Sequence, residues 1–288
     1  MSLALEQLQA HPRKLRKSLK TIAKGDVSPS SVHDLRTRTR KVEAMLKALQ
    51  LDSRRNEKKL LKLVKPVRKA AGKVRDADVL TQFTARLQAA GENDCRVELL
   101  QHLGSERERF ARKLQKTASQ ASPATSRLKR TSNWIDKKLK QDAKIQTWSS
   151  DAAALVLKLS SELRDWPNFN RANIHEFRIK AKQLRYALQM ADPKNDRLIE
   201  QLRDVTDHIG EWHDWGELAS RAGKQLDHRG CKLLQEIQSR VESKLAEALE
   251  LANQFRTKML SAGKSGRKRR SSANPNLVVL ESVSSLAA

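Results

Sequence analysis

Aromatic residues are scarce: Phe, Trp and Tyr make up 4% of the 288 residues, and the five Trp form no regular ladder. Sequence-tolerant binding of single-stranded nucleic acid leans on bases stacked against aromatic rings, so this composition argues against it. The ten glycines never fall into a Gly-x4-Gly-Lys pattern, which excludes a Walker-type phosphate loop. Cys95 and Cys231 are the only cysteines, far apart and without metal-type spacing. They read as reduced, half-buried thiols acting as small hydrophobes. The longest apolar run, residues 152–157, is far short of the ~20 residues a spanning helix needs. Residues 1–9 include Glu6 and no basic region followed by a long apolar stretch, so no secretory signal is expected there. The expectation is a protein of the reducing cytoplasm. Acidic residues are also in deficit: 33 Asp and Glu face 58 Lys and Arg, for a net charge of +25. That balance fits a polyanionic partner, be it nucleic acid, an anionic membrane surface or a phosphate polymer.

What fills the chain instead is helix formers, with apolar residues recurring at three- and four-residue spacings rather than alternating. The pattern predicts an all-α chain. Leu5, Leu8, Leu15, Leu19 and Ile22 suggest a first helix that Gly25 ends, and Ser28-Pro29-Ser30-Ser31 supplies turn chemistry and an N-cap for a second, over about 32–49. Further helices are predicted over about 54–71, 75–90, 93–120, 125–140, 148–165, 172–191, 195–209, 213–227 and 229–261. From Ser261 the character changes. Lys264, Arg267, Lys268, Arg269 and Arg270 sit among Gly and Ser, which reads as a flexible basic tail over 261–288. Such a cluster suits a solubilising tail, a polyanion hook or a nuclear address. The apolar stretch at 277–283 either docks on the body or stays loose.

An internal repeat is the main clue. Val32-His33-Asp34-Leu35-Arg36 is echoed by Ile174-His175-Glu176-Phe177-Arg178, and the match continues without gaps through Leu46 and Leu188. Gly72-Lys73-Val74-Arg75-Asp76 is then echoed by Gly210-Glu211-Trp212-His213-Asp214. Two echoes in the same order point to duplication of a multi-helix unit, with a first repeat over about 1–120 and a second over about 143–260. On a helical wheel Leu35, Val42, Met45, Leu46 and Leu49 gather on one side, while His33, Arg36, Arg40 and Lys47 gather on another. In the second copy Phe177, Leu184, Ala187 and Leu188 face inward. His175, Arg178 and Lys182 share a different stripe, flanked by Arg185. At 1.5 Å per residue the stripe from His33 to Lys47 runs for about 21 Å.

A stripe of that kind suits an extended anion whose charge repeats along its length, since Arg forks phosphate oxygens and Lys serves as a mobile point charge. His33 and His175 are placed by the predicted boundaries in the first turns of their helices. Free backbone N–H groups there favour an anion but disfavour a protonated imidazole, whereas neighbouring phosphates favour one. Solvated basic faces are common on amphipathic helices, but the same wheel angle recurs in both halves, with few acids interleaved.

The run His33-x-x-Arg36-x-x-x-Arg40-Lys41, the run His175-x-x-Arg178-x-x-x-Lys182-x-Leu184-Arg185-Tyr186, and the segment Val74-Arg75-Asp76-Ala77-Asp78 resemble the CHAD family, the conserved histidine α-helical domain. The resemblance covers about residues 1–260. It implies two four-helix bundles related by pseudo-two-fold symmetry and a central basic channel that binds inorganic polyphosphate, with no catalysis by the domain. Carried over by position, it implies ligand contacts from His33, Arg36, Arg40, Lys41, His175, Arg178, Lys182 and Arg185; the wheel adds Lys47. Two positions depart from the motif: Glu43 stands where a basic residue is usual, and Gln183 replaces another. Asp76 and Asp214 match acids of the second motif and are expected to orient nearby Arg.

Many members also carry a triphosphate-processing domain with a Glu-x-Glu-x-Lys strand. The nearest match here, Glu106-Arg107-Glu108-Arg109-Phe110, lacks the Lys and lies in a helical stretch. His208 and His213 are five apart, so one helix face would not present both, and no zinc spacing occurs. The expectation is therefore a non-catalytic polyphosphate-binding or targeting module that needs no cofactor, resident metal or membrane partner and associates with polyphosphate granules. The alternatives are a basic helical nucleic-acid-binding protein or an accessory to a phosphate-polymer enzyme. No sequence feature specifies an oligomeric state.

Overall fold

The computed structural model describes residues 5–88, 93–191, 195–226 and 231–268. Among them the regular structure is helical throughout: α1 Leu5–Ala23, α2 Pro29–Ala48, α3 Arg55–Arg86, α4 Asn93–Gln120, α5 Ser122–Lys138, α6 Asp142–Arg164, α7 Ile174–Ala191, α8 Asp196–Gln225 and α9 Lys232–Lys268. The protein is all-α. No helix among the described residues is long and apolar enough to cross a membrane.

The predicted stop after α1 has a clear cause. Gly25 adopts φ +102°, a left-handed conformation that costs little without a Cβ, and its N–H donates to the Ile22 carbonyl at 3.0 Å. The Asp26 carboxylate then accepts from the Ser28 N–H and the Ser31 hydroxyl, while Ser28 Oγ accepts from the Ser31 N–H. Pro29 occupies the first helical position, where its missing N–H is no loss. The helix therefore starts three residues before the predicted position 32, and His33 lies beyond the first turn. His175, the second residue of α7, does sit in it.

Two predicted breaks are absent. The helices expected over 54–71 and 75–90 are the single helix α3, and those over 195–209 and 213–227 are the single helix α8. An interior glycine costs only about 1 kcal/mol relative to Ala, and the apolar stripe stays in phase across it. Val67, Ala70, Ala71, Val74 and Ala77 are buried on either side of Gly72, as are Leu202, Val205, Ile209 and Trp215 around Gly210. The basic stretch expected to leave the body at 261 begins as a continuation of α9, which runs to Lys268; residues 269–288 lie outside the described ones.

The helices cluster into two units, one from residues 146–213 and 242–268, the other from 5–145 and 214–241. The second repeat therefore contributes chain to both. In the unit that holds α1–α5, α3 packs on α4, and α1 on α2 and α5. Leu8, Leu15, Leu35, Met45, Val64 and Leu114 are fully buried there, and Trp215 of α8 stacks on Phe83 of α3 with ring centroids 4.6 Å apart. Polar knots cross this core. Glu57, 1% exposed, accepts from Asn56 at 3.1 Å and from Thr131 of α5 at 3.0 Å. Asp78, the last acid of the Val74–Asp78 segment, accepts from Arg107 Nε at 2.8 Å, and Arg107 Nη2 donates to the Val27 carbonyl at 2.9 Å. The segment thus ties α3 and α4 to the loop that launches α2.

In the other unit Phe177 of α7 is fully buried in an aromatic nest of Trp166, Phe169 and Phe255, all packed edge-on with centroids 4.7–6.3 Å away. Arg256 of α9 closes it by donating to the Trp166 carbonyl at 3.1 Å. This nest fixes the rotation of α7 about its axis, and with it the direction of every other side chain on that helix.

Candidate functional site

On α2 the apolar side is the predicted one: Leu35, Val42, Met45 and Leu46 are 0% exposed. The basic residues spread over the rest of the surface. His33 and Lys47 are exposed, while Arg36, Arg40 and Lys41 are half-buried. Arg36 Nη1 stands 3.8 Å from Asp76 Oδ1 of α3, close enough for attraction but beyond a hydrogen bond. His33 Nε2 lies 3.4 Å from Thr37 Oγ1. Lys41 lies apart from the Arg36 side. Its charge acts on the buried His11 of α1, whose pKa falls to about 4 through burial first, then Lys41 and Lys14. Helix geometry explains the split, since a five-residue step from Arg36 turns about 140° around the axis. Glu43 pairs with Arg68 of α3 at 3.0 Å, so this departure from the basic motif serves α2–α3 packing.

On α7 the predicted stripe is held together against α8. His175, Arg178, Lys182 and Arg185 are all half-buried. Arg178 Nε donates to the Thr206 carbonyl at 3.0 Å, and Arg185 Nη1 donates to Thr206 Oγ1 at 3.4 Å. The two guanidinium groups, two turns apart on α7, converge on one buried threonine. His175 meets His213 of α8 edge-on, with centroids 4.9 Å apart. Burial, then His213, Arg178 and Lys182, lower the His175 pKa below the usual histidine value. Burial and the neighbouring cations thus favour the neutral imidazole.

The aligned residues Arg38 and Lys180 are directed elsewhere. Arg38 bonds Asp34 and Ser18, each at 2.6 Å, and Lys180 pairs with Glu162 of α6 at 2.5 Å. Lys180 thereby locks α7 to α6 through a carboxylate, whereas Arg38 bonds a carboxylate of its own helix and reaches α1 through the Ser18 hydroxyl. At Thr206, by contrast, Arg178 Nε and Arg185 Nη1 are oriented by uncharged acceptors, a carbonyl and a hydroxyl. A bond of that kind fixes the direction of a guanidinium, the group that forks phosphate oxygens.

Thr206, Gly210 and His213 are the parts of this arrangement that the stripe analysis does not contain. Gly210 and His213 belong to the second echo, so their place in the repeat was the available signal; Thr206 carried none. The Glu106-Arg107-Glu108-Arg109 run is spent on structure: Glu106 pairs with Arg109 and with Arg221 of α8, and Arg107 with Asp78. Among the described residues, no group of three or more His, Cys, Asp or Glu is gathered to hold a metal ion.

Comparison with known proteins accords with this geometry. The family model described as CHAD domain matches residues 1–223. Among solved structures, the chain is similar to the crystal structure of the CHAD domain from the plant Ricinus communis. The TM-score is 0.57 at 18% sequence identity, covering 89% of this chain and 92% of that one; at this identity the likeness is one of fold. No curated protein matches the sequence. The family model spans most of the chain, including both basic helices and the segments that follow them, and the chain belongs to the CHAD family.

Proposed function

We propose that the protein binds inorganic polyphosphate along the basic faces of α2 and α7, as a non-catalytic binding or targeting module. The observation that carries this reading is the pair of guanidinium groups, Arg178 and Arg185, oriented by the neutral oxygens of Thr206. These bonds fix the direction of two guanidinium groups on α7. The ligand should be long and should repeat its charge, because the basic residues follow helices rather than ring a pocket. Family membership supports the same ligand. Hydrolysis of a phosphate polymer would call on carboxylates gathered around metal ions, and the site is built instead from Arg, Lys and His.

The test is a competition of labelled polyphosphate against DNA and RNA at matched ionic strength, with two double variants. Arg36→Glu/Arg178→Glu and Arg267→Glu/Lys268→Glu each lower the net charge by the same four units from +25. If these helix faces bind the ligand, the first loses polyphosphate binding by several kcal/mol, at ~1.5–3 per hydrogen bond to a charged group, and the second stays near wild type. Equal losses, or displacement by DNA at equal phosphate concentration, would make the protein a generic polycation.

A further inference from the structure

The two units treat the glycine of the second echo differently. A methyl group added at Gly72 of α3 would meet nothing within 4 Å. At the aligned Gly210 of α8, a Cβ would fall on Arg178 Nη2, 3.1 Å from Cζ and 3.2 Å from Nε. Gly210 is buried inside an unbroken helix, where glycine is the poorer choice on helix propensity. Its backbone conformation does not call for glycine, because its φ is not positive. What calls for it is the guanidinium lying on the helix surface, with Nε bonded to the carbonyl of Thr206 one turn earlier.

We propose that Gly210 is a positioning residue of the polyanion site: the space left by its missing side chain is the seat on which α8 holds the Arg178 guanidinium flat and in one orientation. This rests on the polyphosphate reading above and adds to it a division of labour. Arg178 is held ready before the ligand arrives. Arg36 stands 3.8 Å from Asp76, and nothing lies within 4 Å of the Cβ position at the aligned Gly72, so α3 offers Arg36 no such seat. Ordering a long side chain on binding costs up to about a factor of ten in affinity. Arg178 escapes that cost only while residue 210 has no Cβ. The atoms in the way are the far end of a flexible side chain, so a methyl group at 210 displaces the guanidinium and spares the backbone.

The experiment compares Gly210→Ala, Gly72→Ala, Arg178→Ala and the double variant Gly210→Ala/Arg178→Ala, by melting temperature and by polyphosphate binding. Gly210→Ala is expected to bind roughly three- to tenfold more weakly while keeping its helical content. Gly72→Ala should bind like wild type and melt higher, since alanine favours a helix. The double variant should bind no worse than Arg178→Ala alone, because the methyl group acts only through that side chain. A purely structural role for Gly210 would instead add its loss to that of Arg178→Ala. Wild-type affinity in Gly210→Ala overturns the proposal, as does an additive double variant. If Gly210→Ala fails to fold, the double variant decides: with the guanidinium gone the methyl group has room, so a double variant that also fails to fold rejects the seat. Wild-type binding by Arg178→Ala would reject the polyphosphate reading of this face itself, a result distinct from failure of Gly210→Ala alone.

Discussion

His11 is a strongly displaced titrating side chain, 9% exposed in α1 with Lys41 and Lys14 acting on it. Its folded pKa, about 4, lies below its ordinary value of 6.5, so the unfolded chain binds the proton more readily. Stability linked to His11 is therefore fully present above pH 6.5 and is lost as pH falls from there toward 4, by up to about 3 kcal/mol. Urea unfolding of wild type and His11→Leu at pH 7 and pH 4.5 measures this. The variant should lose less stability between the two pH values, and identical losses would mean that His11 titrates normally in the folded protein. At this scale the residue type was readable in advance, but its role was not. His11 belongs to neither echo, and its burial comes from the packing of α1 on α2 and α5.

At the scale of elements, the ion pairs differ by burial far more than by distance. Arg171–Glu242 is short, 2.5 Å, but both side chains are more than half exposed; such pairs contribute ~0–1 kcal/mol. Asp78–Arg107 is 2.8 Å with Asp78 only 5% exposed, and Arg107 also holds the Val27 carbonyl. Removing one partner of a buried pair leaves a desolvated charge and costs about 3–5 kcal/mol. Arg107 is 27% exposed and keeps part of its hydration, so Asp78→Ala should lower unfolding free energy by up to about 3 kcal/mol, while Glu242→Ala changes it by less than about 1 kcal/mol. Chemical denaturation of both decides, and comparable small losses would show that the knot joining α3, α4 and the α2 launch loop is dispensable. The helices themselves were largely legible from apolar periodicity. The two misplaced breaks fall at Gly72 and Gly210. In α3 and α8 the stripe continues in phase across the glycine, and burial outweighs a single poor propensity.

For the whole molecule, the net charge of +25 attracts any polyanion at low salt, so affinity alone does not identify the ligand. Its dependence on salt does better. Each phosphate neutralised releases condensed counterions, so log affinity should fall linearly with log salt, at a slope set by the number of contacts. Wild type should show a steep slope for polyphosphate, and Arg36→Glu/Arg178→Glu a shallower one. The pair at the end of α9, Arg267→Glu/Lys268→Glu, should leave the slope nearly unchanged. Titrations from about 50 to 200 mM salt, the range over which such contacts lose most of their affinity, provide the comparison. A slope that follows net charge alike in both double variants would remove the argument for a located site.

The sequence by itself determined the helical class, a helix N-cap within residues 28–31, the stop at Gly25, the inward faces of α2 and α7, and basic residues placed away from those faces. Each follows from local chemistry: a period of 3.6, a left-handed glycine, or a hydroxyl at a helix start. Only the tertiary structure decided what aims each cation. Arg178 and Lys180 are both cations on half-buried positions of α7, yet one meets the carbonyl of Thr206 in α8 and the other the carboxylate of Glu162 in α6. The same holds for Gly210, whose importance is the absence of an atom where a side chain from α7 arrives. Periodicity reports which way a residue faces along its own helix. It does not report what the neighbouring helix places opposite, because that depends on the packing rotation set by distant contacts such as the Phe177 nest.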